Sequence, residues 1–317
     1  MIRNFLKNKI EGSMKDSTRN LFDLHGWRNV GQFLHAYYYL AHLDQYVKIL
    51  LPALRVLDRY VPASRKEAFR ALFAFIPDRY HAKVVPLEAA KKIVTMNQDV
   101  SISPETSKKV IPFEIANQIT IRNPDSIVVM NCACRSEKKN PCQPVNVCMV
   151  VGEPYASFVL EHAKSLSPRR VTQLEAVELL ELCHKKGHVH NAYFKDALGD
   201  QFYAICNCCK CCCGGIEVDR VVRSIAFQTP IKELAPSGYL ASVDPDLCKG
   251  CGVCEAKCPF GAISIEEKVA VIASEACMGC GVCPDLCPEK AIELGQDPGR
   301  GIPLDLYALG VEARPEA

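Results

Sequence analysis

The 317-residue sequence holds a single tryptophan and no long hydrophobic run. Its most apolar stretch, Phe33 to Val56, is interrupted by His35, His42, Asp44, Lys48 and Pro52, so no segment reads as a bilayer span. The basic start MIRNFLKNKIEGSMKD is followed by neither an apolar core nor a small-residue cleavage site, which sets the expectation of a cytoplasmic protein. No G-x-G-x-x-G follows a strand-like run and no G-x-x-x-x-G-K-[ST] occurs, so a dinucleotide fold and a phosphate-binding loop are not expected. A Ser-His-Asp order and a G-x-S-x-G elbow are missing as well. Any chemistry must therefore run on metal sites or in a partner protein. Excess charge of one sign is also lacking, at a net +2, and the basic residues are scattered, which argues against nucleic acid as a partner. With 49% hydrophobic and 23% charged residues the chain reads as globular, of roughly two domains, and not as a disordered, collagenous or coiled-coil protein.

What the sequence has in excess is cysteine, 19 residues in all. In a reducing compartment disulfides are rare and clustered cysteines read as metal ligands. An odd number also cannot be closed entirely by internal disulfides. The small net charge conceals an asymmetry: residues 241–317 carry a net −7 and the other 240 residues a net +9. This fits either two domains of different pI or an acidic C-terminal part that docks on basic partners.

Four regions follow from pattern and composition. Residues 1–110 read as helical: HAYYYLAHLDQYVKILLPALRVLDRY has apolar residues at helical spacing, with Pro52 expected to kink or break it. Ser64 to Glu67 forms a capping box, and PLEAAKKIVTM a short helix with Pro86 in its first turn. The stripe of Tyr37, Tyr38, Tyr39, Leu40 and Leu43 reads as core or subunit packing, with peripheral membrane contact as the alternative. Residues 111–235 alternate helix, strand and cysteine-bearing loop. PFEIANQIT reads as a helix, SIVVMNC and QFYAIC as strands, and Thr172 to Glu175 as a second capping box. TPIKELAPSGYL reads as a linker, residues 236–295 as a repeat domain, and 296–317, rich in Gly and Pro, as a loose or docking tail. The expected class is α+β.

The repeat is CKGCGVCEAKCPFGAISI from Cys248 and CMGCGVCPDLCPEKAIEL from Cys277, an offset of 29 residues. Each copy carries C-x2-C-x2-C-x3-C-P. Three thiolates at this spacing suit one cubane, and the fourth comes from the other copy. The two sets are then Cys248, Cys251, Cys254 with Cys287, and Cys277, Cys280, Cys283 with Cys258. Over about fifty-five residues the sequence resembles the bacterial two-cluster ferredoxins. That resemblance implies a pseudo-symmetric (βαβ)2 module with two 4Fe–4S clusters passing single electrons. Zinc is the alternative for any C-x2-C pair.

Eleven cysteines remain. They fall into Cys132, Cys134, Cys142 and Cys148, then Cys206, Cys208, Cys209, Cys211, Cys212 and Cys213, with Cys183 between. An extended QFYAIC puts Cys206 and Cys208 on one face, and Cys132 and Cys134 end SIVVMNC in the same way. Consecutive cysteines cannot all reach one cubane, so CNCCKCCC implies two neighbouring sites or some non-ligands. One or two further iron–sulfur clusters are expected there, with zinc as the alternative. CACR, GHVHN and ICNCCKCCC give residues 110–290 a looser similarity to iron–sulfur proteins of anaerobes that end in a ferredoxin module. His184 and His188 share an i, i+4 spacing on a helix end that Lys185 and Lys186 mark as solvated, and His190 follows. The three read as structural, with ligation or proton donation as the alternative.

The leading reading is an electron carrier between redox partner proteins. The second is an iron–sulfur reductase in which Arg135 and His190 would bind an anion and deliver a proton, and the third an interaction module with structural zinc.

Overall fold

β-Branched residues at period two set the frame. In β3 (Ile119–Asn131) Ile127 and Val129 point to one side while Val128 and Met130 point to the other, and all four are buried. An apolar strand on both faces needs cover on both faces. The computed structural model describes residues 12–60, 80–111, 119–225, 234–309 and 311, and it provides that cover. The capping box Ser64 to Glu67 and most of PFEIANQIT lie outside the described residues, although Ile119 and Thr120 at the end of that segment open β3.

Eight strands form one sheet. Besides β3 they are β1 (Tyr80–Val85), β2 (Val100–Ile102), β4 (Asn146–Glu153), β5 (Arg169–Val171), β6 (Val189–Lys195), β7 (Gln201–Cys208) and β8 (Leu234–Ala235). The order is β2-β3-β4-β7-β6-β1-β8, with β5 sharing the β2 edge of β3. Only the β1–β8 pair is parallel. One face is covered by the helices Asp16–His25, Val30–Ala41, Leu43–Tyr60, Tyr155–His162 and Gly214–Ile225. The other face carries Leu87–Val94, Pro104–Val110 and Gln173–Lys185. Thr172 caps the last of these in a complete capping box with Glu175.

The expectation of a helical region up to residue 110 gives way at β1 and β2. Tyr80–Val85 is bonded on both sides within the sheet and buries His81 and Lys83. With both faces covered, the alternation that marks a half-exposed strand is absent. The helix Leu43–Tyr60 runs through Pro52 without a break, and Pro86 stands at the N-cap of Leu87–Val94.

The C-terminal module repeats a strand, a short helix and a strand. β9 (Tyr239–Val243), helix Val253–Lys257 and β10 (Ile263–Glu266) are followed by β11 (Val269–Ile272), helix Val282–Leu286 and β12 (Ile292–Gln296). β9 pairs with β12 and β10 with β11, both antiparallel. The segment expected as a linker contributes β8 and β9 to the two sheets. Of the two expectations for the tail, loose or ordered by docking, the described part follows the second: Leu304 and Leu306 are buried against the helix Leu87–Val94 face, and Lys92 meets Asp305 at 2.6 Å. Burying two leucines contributes about 1.5–3 kcal/mol each, which holds this stretch on the central sheet.

Candidate metal centres

In the C-terminal module, the short helices Val253–Lys257 and Val282–Leu286 start just after Gly252 and Gly281, both left-handed. At the equivalent positions Gly250 and Gly279 the chain passes so close to the Lys268 and Tyr239 carbonyls that a Cβ would overlap them, and φ is +63° and +64°. Only glycine permits this wrapping. It creates two cavities. One is lined by Cys248, Cys251, Cys254 and Cys287, the other by Cys258, Cys277, Cys280 and Cys283. The structure thus brings together the cross-paired quartets. Backbone N–H groups of Ala262, Ala270 and Ala291 donate to the sulfurs of Cys258, Cys248 and Cys287, each at 3.4 Å. Four thiols round a cavity with N–H donors on their sulfurs is a donor set that fits a cubane.

A third cavity lies on the helix-covered face of the main sheet. Cys148 of β4 and Cys206 of β7 are direct neighbours in register, with sulfurs 3.9 Å apart. Cys208 follows two residues on, and Cys132 leaves β3 on the same side, so three strands carry sulfur to one place. Cys134, on the helix Ala133–Ser136, and Cys213, just before Gly214–Ile225, also line the cavity, which makes six cysteines with Cys209 at its border as a seventh. That second helix offers its first N–H groups: Gly214 donates to Cys134 and Ile216 to Cys213 at 3.5 Å. Leu43 and Val47 close the cavity from outside, which gives the N-terminal helices a role the sequence did not announce. Its volume, mouth included, is about 600 Å³, against about 340 and 320 Å³ for the module cavities. The central cavity can therefore house a group at least as large as either of the others.

The remaining members of the central set sit beside this cavity. Cys142, Cys209 and Cys211 converge, and Cys212 touches them, its sulfur 3.3 Å from that of Cys211. Cys209 also borders the inner cavity. Cys183 is buried outside both groups. Arg135 lies between the groups, fully buried, with its guanidinium donating to the carbonyls of Cys142, Pro144 and Asn207 and to His188 Nδ1.

The histidines form a buried chain to the module. Asn207 donates to the Val147 carbonyl, which turns its Oδ1 toward His190 Nδ1 at 2.6 Å. His190 Nε2 faces His184 Nδ1 at 3.3 Å, and His184 Nε2 meets Asp285 at 2.7 Å. At the helix end expected to be solvated, Lys185 and Lys186 are exposed but His184 is buried. Arg135 and His190, the groups a substrate-reducing reading would use, have their hydrogen bonds within the protein. Asn207 carries no motif signal; its place between two cysteines on a strand is the only clue.

Burial raises several of the free thiols, while Cys132 is held well below its ordinary value by hydrogen bonds with Cys134 and Cys148. That burial pushes Cys280 and Cys183 up to about 12 and Cys211 to about 11, and moves Cys209 and Cys283 up as well. Burial, together with Arg135, lowers His188 to about 4 and, together with His184, His190 to about 3, so both rings are neutral. Thiols this reluctant to ionise need a cation to become ligands, which the charge of a metal supplies.

Residues 240–288 match the family model described as a 4Fe-4S dicluster domain, a span that contains all eight cysteines of the repeat. This C-terminal part is a ferredoxin-like iron–sulfur domain. No curated protein matches the chain. Among the described residues, no helix is long and apolar enough to cross a membrane.

Proposed function

We propose that this chain is an iron–sulfur electron-transfer protein with three cluster sites. The module would hold two 4Fe–4S clusters, on Cys248, Cys251, Cys254, Cys287 and on Cys277, Cys280, Cys283, Cys258. The inner cavity would hold a further iron–sulfur cluster on thiolates drawn from Cys132, Cys134, Cys148, Cys206, Cys208 and Cys213. Clusters bound there supply one-electron carriers, whose potentials follow charge, N–H···S bonds and exposure.

The observation that carries the reading is the way the module is seated. Its second half faces inward: Met278 and Val282 belong to the same apolar core as Cys148, Cys208 and Cys213, and Cys280 packs against that core. The first quartet includes the exposed Cys251, although Phe260 and the first module helix also touch the main domain. The chain therefore carries a quartet with one exposed member, a second quartet seated against the main core, and the inner cavity within it. An electron carrier needs such a series from surface to interior, and a module serving only as a tether does not. The net −7 of residues 241–317 suits a redox partner with a basic docking face.

Metal and sulfide analysis of anaerobically purified protein, with electron paramagnetic resonance after reduction, tests the reading. The whole chain should carry more than eight irons together with more than eight acid-labile sulfides. Cys148→Ser combined with Cys206→Ser should remove the excess sulfide and its matching iron and leave the module's signals intact. Eight sulfides or fewer refute a cluster in the inner cavity.

A further inference from the structure

The ten central cysteines do not form one set. The sulfurs of Cys142, Cys209 and Cys211 all lie within 4.8 Å of one another, and among the described residues no other three metal-binding side chains do so. Cys211 Sγ is 3.6 Å from Cys209 Sγ and 3.3 Å from Cys212 Sγ; Cys212 itself stands outside the trio, more than 4.8 Å from the Cys142 or the Cys209 sulfur, and would swing in to serve as the fourth ligand. Four sulfurs at about 2.3 Å from one ion make a tetrahedron with an edge of about 3.8 Å. A cubane spreads its thiolates over separate irons and sets them farther apart. The module quartets provide the reference within the same chain, since no three of their sulfurs come as close as this trio.

We infer that Cys142, Cys209, Cys211 and Cys212 bind a single tetrahedrally coordinated ion, zinc or iron, separate from any cluster. Tetrahedral S4 coordination suits both metals. The site stands independently of whether the inner cavity holds a cluster.

The surroundings support a thiolate site. A guanidinium only donates, so Arg135 Nη2, 3.2 Å from His188 Nδ1, makes that nitrogen the acceptor and leaves the proton on Nε2. His188 Nε2 lies 3.6 Å from Cys142 Sγ, and its N–H is therefore directed at the sulfur. Carrying that proton, His188 is not a ligand but a positioning residue that orients a ligand from behind. The backbone N–H of Cys142 donates to Cys212 Sγ at 3.5 Å, a bond across 70 residues of sequence. An ion here would fasten the loop before β4 to the turn after β7. Lys210, between two of the ligands, reaches the carbonyls of Glu255 and Ala256 on the first module helix at 3.5 and 3.2 Å. The ion would thus also fix the turn on which the module rests.

The test uses the full chain, purified anaerobically, with zinc, iron and acid-labile sulfide measured together. Cys211→Ser, at an exposed position, and Cys209→Ser with Cys211→Ser should each lose one ion per chain, zinc or iron, with sulfide and the reduced-cluster signals unchanged. His188→Ala should weaken retention against a chelator by about 10–100-fold, and His188→Gln, which keeps a donor, should restore most of it. X-ray absorption at the edge of the lost metal, taken on the unsubstituted chain when that metal is zinc, should give four sulfurs at about 2.3 Å. Loss of about four irons with matching sulfide would make these cysteines cluster ligands and overturn the inference. So would unchanged metal content, or a nitrogen in the zinc shell.

Discussion

Arg55→Met removes a charge from the helix that closes the inner cavity while keeping most of the apolar stem. Arg55 Nε and Nη2 grip Glu217 at 2.5 and 2.9 Å, and Nη1 reaches Glu137 at 3.0 Å. These carboxylates belong to the two short segments that carry Cys134 and Cys213, so the arginine ties the covering helix to both. Its side chain is 34% accessible and those of Glu137 and Glu217 are 15% and 18% accessible. Exposed pairs contribute about 0–1 kcal/mol, and breaking a fully buried pair costs about 3–5 kcal/mol. This half-sheltered triad falls between, at about 2 kcal/mol after screening, with Lys138 at 3.5 and 3.6 Å still offsetting some of the exposed negative charge. For a chain of this length that corresponds to a drop in Tm of about 3–5 °C. The sign with pH follows from the carboxylates. Hydrogen bonding to Arg55 holds Glu137 below its ordinary 4.5, and at Glu217 the same partner outweighs a burial that works the other way. Carboxylates depressed in the folded state stabilise fully above their unfolded pKa and lose that contribution only as pH falls through the folded value. The gap between parent and variant should therefore be flat from about pH 5.5 to 8, read by anaerobic thermal melts. A gap below about 0.5 kcal/mol, or one that changes across that window, refutes the assignment of the effect to this triad.

In the full chain, Cys258→Ala should lose the cluster of Cys277, Cys280 and Cys283 while that of Cys248, Cys251 and Cys254 persists; reduced-state spectra showing the reverse would contradict the cross-pairing. Leu306→Ala, at a fully buried position of the C-terminal stretch, should destabilise the chain by about 2–4 kcal/mol in urea titration. A change within about 0.5 kcal/mol would mean that this stretch is not held on the sheet.

Local rules made part of this legible. The duplicated cysteine motif, the strands SIVVMNC and QFYAIC and the capping box at Thr172 are each encoded within a few residues, and period two on β7 correctly aligned Cys206 with Cys208. The strand Tyr80–Val85 was illegible because burial on both faces erases alternation and because it contains a lysine and a histidine that a sequence reading assigns to the surface. Leu304 and Leu306 were illegible for another reason. Two leucines among Gly and Pro carry no period, and only their distant contact with the Leu87–Val94 face orders them.

The division of the central cysteines lay furthest from reach. The sequence groups them by proximity along the chain, whereas the sheet groups them by the side from which each approaches. β4 and β7, paired through Cys148 and Cys206, put two sulfurs in one cavity from positions 58 residues apart. The turn after β7 then reverses direction, so Cys209 and Cys211 face Cys142 while Cys213 comes back to the first cavity. A run such as CNCCKCCC therefore divides its sulfurs between two places because it covers the end of a strand and a tight turn and stops where a helix begins. Each change of backbone direction reassigns the next sulfur. Arg135 sits where the two sets meet, its donors taken by three carbonyls and one histidine. One buried positive charge in that position lowers the electrostatic cost of holding two groups of thiolates side by side, as the two proposed metal centres would require.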